Sequence, residues 1–167
     1  MISLVLLYSS ALFAQYGGIE GEEAPEWDIE AWLDGSGELG SYKLSDFAGK
    51  KIVVFCFQSW CPGCHKSGFP TMKYLNKRFG DQENVEFVAI QTVFEGADVN
   101  NFKKLKKMQK KYKLNIPFGH DIGTESSHIV ERYRTGGTPW FIVINESGKV
   151  VYNHYELTPQ VASRLLK

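Results

Sequence analysis

The sequence predicts an α/β protein built on a central mixed β-sheet with helices on both faces. Three observations carry this. Two continuous apolar runs rich in β-branched and aromatic residues, "KIVVFCFQ" (51–58) and "VEFVAIQTV" (85–93), read as strands buried on both faces. Each is followed by a helical pattern, and strand–helix–strand order implies a parallel pair joined by a right-handed crossover. Nearer the C-terminus, "PWFIVIN" and "KVVYNHY" flank Glu146-Ser147-Gly148, the pattern of a hairpin that adds antiparallel strands.

The elements follow in order. "MISLVLLYSSALFAQ" has an apolar stretch, Ile2 to Tyr8, followed by the small residues Ser9, Ser10, Ala11 and Ala14. Residues 1–16 therefore read as an export segment, with cuts expected after Ala11 or Ala14, although no Lys or Arg precedes the apolar stretch. The stretch is too short to span a bilayer. Residues 17–167 read as one domain, the size that a single core supports. In "GEEAPEW" and "WLDGSGELGSYKLSDFAGKK", Gly and Asp mark turns between short apolar segments. Behind the first strand, Pro62 suits a first helical turn, and Met72, Tyr74, Leu75 and Phe79 outline a helix to Gly80 that Pro70 should kink. A basic helix follows the second strand, with Phe102, Leu105, Met108 and Tyr112 on its apolar stripe. A shorter helix is expected over about 124–134, and a last one starts with Thr158 as N-cap and Pro159 as first position.

Composition narrows the function. Lysine plus arginine, 19, equals aspartate plus glutamate, 19, so there is no global pull toward nucleic acid or acidic lipid. Acids gather in 20–38, and seven lysines crowd 103–113. Those lysines read most simply as the wet face of an amphipathic helix, and less simply as a docking patch for an acidic partner. Three cysteines are too few for a stapled scaffold, and with no second C-x-x-C or H-x-x-x-H, a tetrahedral zinc site lacks ligands. No metal site is expected. Cys56, inside a strand, reads as a small core hydrophobe, and Trp140 also reads as core.

Cys61-Pro62-Gly63-Cys64-His65 admits more than one chemistry. It is the C-x-x-C-H of covalent c-type haem, a soft ligand set for copper handling, or a dithiol that exchanges disulfides. The strand before it and the helix after it favour the dithiol. A cysteine at a helix N-terminus has its pKa lowered by unpaired backbone N–H groups, which makes Cys61 nucleophilic and leaves Cys64 one turn below to resolve the mixed disulfide.

"KIVVFCFQSWCPGC", the upstream "APEW…LSDFAGK" and the downstream "GGTPWFIVINESGKV" resemble the thioredoxin superfamily, and most closely its exported TlpA/ResA-like thiol-disulfide oxidoreductases. The resemblance runs from about Gly21 to the C-terminus and implies a thioredoxin-like fold. It implies a cis Pro139 beside the cysteines, with the backbone of Thr138 pairing with an extended substrate segment. It further implies protein thiol or disulfide substrates, an upstream electron donor, the reducing direction, no cofactor beyond the Cys61–Cys64 disulfide, and an extracytoplasmic monomer. Trp60, beside the nucleophile, is expected to shape the surface that substrates touch. The chain departs from the superfamily at two places. Phe55 stands where many cytoplasmic thioredoxins carry a buried Asp, and Ser67 and Gly68 fall where ResA-like members carry a Glu. That leaves Pro62, His65 and Glu95 as candidates for tuning the cysteine pKa values. The peroxide-reducing pattern P-x-x-x-[TS]-x-x-C is absent, with Val54 and Gln58 at its positions before Cys61.

Overall fold

A computed structural model of the chain describes residues 18–123 and 126–167; the expected export segment lies outside them. Seven strands form one mixed sheet: β1 (Ala31–Leu33), β2 (Leu39–Gly40), β3 (Lys51–Phe57), β4 (Val85–Thr92), β5 (Phe118–Asp121), β6 (Trp140–Ile144) and β7 (Val150–His154), in the order β2-β1-β5-β4-β3-β6-β7. β3, β4 and β5 run parallel, and every other pairing is antiparallel. The helices are α1 (Phe69–Phe79), α2 (Phe102–Tyr112), α3 (His128–Arg132) and α4 (Pro159–Leu165).

β3 sits mid-sheet, and its alternation feeds two cores. Val53, Phe55 and Phe57 face one layer with Phe69, Met72, Leu75, Leu105, Met108 and Ala162, beneath α1, α2 and α4. Ile52, Val54 and Cys56 face the other with Trp27, Trp32, Phe47, Ile129 and Tyr133. Cys56 is thus a core residue on the sheet face opposite Cys61 and Cys64, as its strand position suggested. Each fully buried phenylalanine or tryptophan stabilises by roughly 1.5–3 kcal/mol, so this two-sided core is what fixes the end of β3 in space.

Most of the expected elements are present, with differences. The hairpin turns at Gly148 (φ 83°), and Thr158 accepts from Val161 N–H as N-cap of α4. Of the residues that outlined α1, Met72, Leu75 and Phe79 are buried and Tyr74 is 46% exposed. Near Pro70 the chain widens rather than kinks: Cys64–Gly68 form a π turn in which Phe69 N–H bonds to the Cys64 carbonyl. Proline has no N–H for the next helical bond, and the wide turn takes up the irregularity next to the cysteines. The helix expected over 124–134 is the five-residue α3. β1, β2 and β5 carry no strand signal of their own and are made by pairing.

Candidate active site

β3 ends at Phe57, at the carboxyl edge of the parallel strands, and the chain turns through Gln58, Ser59 and Trp60 into Cys61. That turn is tightly held. Ser59 donates its N–H to Asn100 Oδ1 at 2.7 Å, and its hydroxyl hydrogen-bonds to Val99 O and Asn100 Oδ1. Cys61 N–H donates to Gln58 O at 3.1 Å. Cys61 keeps 8% of its surface in solvent and Cys64 none, and all three cysteines are free thiols.

Two loops meet at the Cys61 sulfur. Sγ lies 3.4 Å from the Thr138 carbonyl oxygen and 3.4 Å from Cys64 N–H, which donates to it. Burial alone would push the Cys61 thiol up. Hydrogen bonds from the Thr138 side chain, from Cys64 and from Gly63 N–H outweigh it and hold this thiol below the ordinary range. Cys64 shows the opposite result, since burial dominates and pushes it up to about 12. Two cysteines three residues apart are thereby split into an ionisable, slightly exposed thiol and a buried, protonated one.

The split has a direct readout. Iodoacetamide titrated against pH is expected to modify Cys61 with a midpoint below the ordinary cysteine value, with Cys64 unmodified throughout the neutral range. Peptide mass mapping would show it, and equal labelling of both cysteines at pH 7 would refute it.

The Thr138–Pro139 peptide bond is cis, and the Pro139 ring lies against Gly63 and Gly68. A Cβ on Gly63 would stand 3.1 Å from Pro139 Cδ; one on Gly68 would stand 3.0 Å from Pro139 Cβ and 2.6 Å from Phe55 Cζ. The Phe55 ring and the bare Gly68 backbone are therefore complementary, and together they floor the site. Phe55 fills the volume at the position of the superfamily's aspartate, and Gly68 makes room for it.

The other expected residues are placed as follows. Trp60 is 45% exposed, its indole beside Gly96, and so forms part of the surface around Cys61. Pro62 is exposed at the start of the helical turn. His65 has both ring nitrogens engaged away from the cysteines: Nε2 pairs with Ser59 O at 2.8 Å and Nδ1 with the Tyr112 hydroxyl at 2.6 Å. Glu95 brings its backbone carbonyl to Gln58 and Asn100, with its side chain exposed. The structure brings neither to Cys64 as an acid–base partner. Sequence reasoning missed Gln58, whose carboxamide oxygen accepts from the Thr138 hydroxyl at 3.4 Å, and Ser59, Asn100 and Tyr112, which hold the turn. Only a polar Gln-Ser closing an apolar strand hinted at them.

A haem joined to both cysteines would have to reach Cys64 beneath the turn, and a metal shared by Cys61, Cys64 and His65 would have to break two hydrogen bonds. Elsewhere, Glu30, Asp121 and His128 approach one another closely enough to hold an ion. Their atoms are already used: Asp121 accepts from the Ser127 hydroxyl and from His128 and Ile129 N–H, His128 Nδ1 pairs with Asp28 O, and Glu30 accepts from Ile122 N–H. Asp121 thereby closes the first turn of α3 together with its N-cap, Ser127.

Comparison with known proteins agrees with this geometry. Residues 19–164 match the Redoxin family. The chain is 32% identical over 143 residues to the thiol-disulfide oxidoreductase ResA of Bacillus subtilis, covering 85% of this chain and 71% of that one. Among solved structures it is similar to a thioredoxin-like superfamily protein (TM-score 0.77, 27% identity, covering 86% of this chain and 96% of the other). It is also similar to a thiol-disulfide isomerase from Corynebacterium glutamicum (TM-score 0.75, 25% identity, 86% and 95%). The chain belongs to the Redoxin family, as a TlpA/ResA-like member of the thioredoxin superfamily.

Proposed function

We propose that this protein is an exported thiol-disulfide oxidoreductase that reduces disulfides in protein substrates through Cys61 and Cys64. The observation that carries the reading is the divergence of two neighbouring thiols, Cys61 held down by hydrogen bonds and Cys64 pushed up by burial. The Cys61 thiolate attacks one sulfur of a substrate disulfide. That bond breaks, the second substrate sulfur leaves as a thiolate and takes a proton, and Cys61 is joined to the substrate. Cys64 then loses its proton and attacks Cys61 Sγ, releasing the first substrate sulfur. Two electrons have passed to the substrate, and an upstream donor restores the Cys61–Cys64 dithiol. The cycle uses no prosthetic group.

Thr138 presents its backbone to an extended substrate segment, and Trp60 and Pro139 border the place where that segment lies. The reducing direction rests on the resemblance to the TlpA/ResA-like branch, and export rests on the pattern of residues 1–16. Among the described residues no helix is long and apolar enough to cross a membrane.

The direction is tested by equilibrating the protein with glutathione or dithiothreitol buffers and counting free thiols. A reduction potential near about −270 mV is expected for a reductant. A value toward about −120 mV would reverse the direction, and the lack of any reversible two-electron couple would end the exchange reading.

A further inference from the structure

The helical layer over the cysteines is charged in one sense only. Residues 64–79 and 101–113, which comprise the π turn, α1 and α2 with its caps, carry eleven lysines and arginines and no aspartate or glutamate. Lys66, Lys73, Lys77 and Arg78 come from the first stretch, and the seven lysines of 103–113 from the second. All eleven are exposed. The two helices lie side by side on the sheet face that holds Cys61 and Cys64, joined by the Phe69–Tyr112 stack at 3.9 Å and the His65–Tyr112 hydrogen bond. The layer reaches the reaction centre at both ends of this contact. Lys66 follows Cys64 by two residues, and Asn100, just before α2, holds the turn into Cys61.

The chain as a whole is neutral, so the excess is matched elsewhere in the molecule. The acidic segment faces basic groups outside the layer: Asp28 pairs with Arg132 at 2.6 Å, Glu22 and Glu23 lie near Arg134 and Lys149, and Glu20 and Glu30 lie near His154 and His128. Among the described residues, none of the eleven basic side chains of the layer makes an ion pair. Seven carboxylates border it: Glu95 and Asp98 ahead of α2, Asp81 and Glu83 after α1, Glu38 across a cleft from Lys106, Lys110 and Lys113, Asp34, whose carbonyl accepts from Gln109 of α2, and Glu156 in the cleft with Ser67 and Thr71. They are too few to cancel it.

We propose that this basic layer selects acidic polypeptides for disulfide exchange at Cys61, steering a negatively charged segment of the partner along α1 and α2 while its disulfide meets the nucleophile. The inference rests on the exchange reading above and names the substrate class. Steering of this kind acts on the encounter rate and fades with salt, because exposed charges are screened beyond a Debye length.

The test uses three disulfide-cyclised peptides that differ only at three flanking positions, occupied by Glu, Gln or Lys. Each is mixed with the reduced protein, and the rate of Cys61–Cys64 oxidation is followed by quenching and mass analysis. At low ionic strength the Glu peptide is expected to react about tenfold faster than the Lys peptide, with the Gln peptide between them. Near 1 M salt, where the Debye length is about 3 Å, the three rates should converge. A Lys66→Gln, Lys103→Gln, Lys106→Gln, Lys107→Gln variant should lose the ranking and keep the rate of the Gln peptide. Equal rates at low salt would overturn the inference, and so would a ranking that survives in the variant. Equal rates combined with sedimentation on phosphatidylglycerol vesicles would give the face to a membrane instead. If none of the three peptides oxidised the protein, the exchange reading itself would fall.

Discussion

A Cys64→Ser variant is expected to stop halfway through the reaction, with the substrate covalently held on Cys61. Of the three cysteines only Cys61 keeps any surface in solvent and has its thiol held below the ordinary range, so it alone starts the exchange. Only Cys64 lies close enough to finish it, its N–H 3.4 Å from Cys61 Sγ. Serine keeps the shape of the turn but cannot displace a disulfide. Turnover should fall by about a thousandfold or more, as it does when one member of a catalytic unit is removed, while the protein gains the mass of one substrate chain. Cys61→Ser should be as inactive and gain no mass. Reducing gels and intact-mass measurement separate the two cases. An adduct on Cys64, or turnover persisting without either cysteine, would refute the assigned order of attack. The pH dependence follows in sign. Because burial raises the Cys64 thiol, its attack on the mixed disulfide requires loss of a proton that is firmly held at neutral pH. Among the described residues no side-chain carboxylate or free imidazole hydrogen-bonds to it to take that proton, so release of substrate should accelerate as pH rises from 7 to 9. Capture by Cys61 should level off earlier.

The parts of the fold that were legible in the sequence are those whose environment is uniform along the chain. β3 is buried on both faces, so its run from Lys51 to Phe57 is apolar at nearly every position, and the pattern cannot be mistaken for a surface strand. The cap of α4 was legible for a local reason, since Thr158 and Pro159 satisfy the first turn without help from elsewhere. β5 was not, because Phe118-Gly119-His120-Asp121 has no strand propensity; it is a strand because β4 and β1 pair with it on either side. At the site, the cysteines and Pro139 were readable from spacing and resemblance, whereas the shell that holds them was not. Ser59 and Asn100 are 41 residues apart, and His65 is claimed by Tyr112 across a helix–helix contact. Such partnerships are tertiary, and no window of sequence contains both members. The same cause explains why His65 and Glu95 could be named as candidates for Cys64, although the His65 ring is held by Tyr112 and Ser59 and the Glu95 side chain points to solvent.

Phe55 links stability to the site most directly, and its replacement is expected to have the largest effect on folding. The ring is fully buried and lies 5.6 Å from Phe57, 5.1 Å from Phe69 and 5.1 Å from Phe141, centroid to centroid. Phe55→Ala removes the centre of this aromatic cluster and leaves a cavity that β3, locked between β4 and β6, cannot close. The cost is about 3–5 kcal/mol, which for a domain of this size lowers Tm by roughly 6–20 °C. The loss also reaches the chemistry. The ring's far edge is the surface on which Gly68 rests, and Gly68 rests in turn against Pro139. Without that floor the π turn and the Pro139 loop can approach each other, and the hydrogen bonds that hold the Cys61 thiol down depend on their spacing. At a temperature where the variant is still folded, the iodoacetamide midpoint of Cys61 should therefore shift upward. Phe55→Leu, which keeps most of the volume, should cost about 1 kcal/mol and leave the midpoint near its original place. A Phe55→Ala protein that lost stability but kept the Cys61 midpoint would show that the aromatic floor supports the fold alone. A shift in the midpoint that Phe55→Leu reverses would tie the reactivity of Cys61 to a ring on the strand six residues before it.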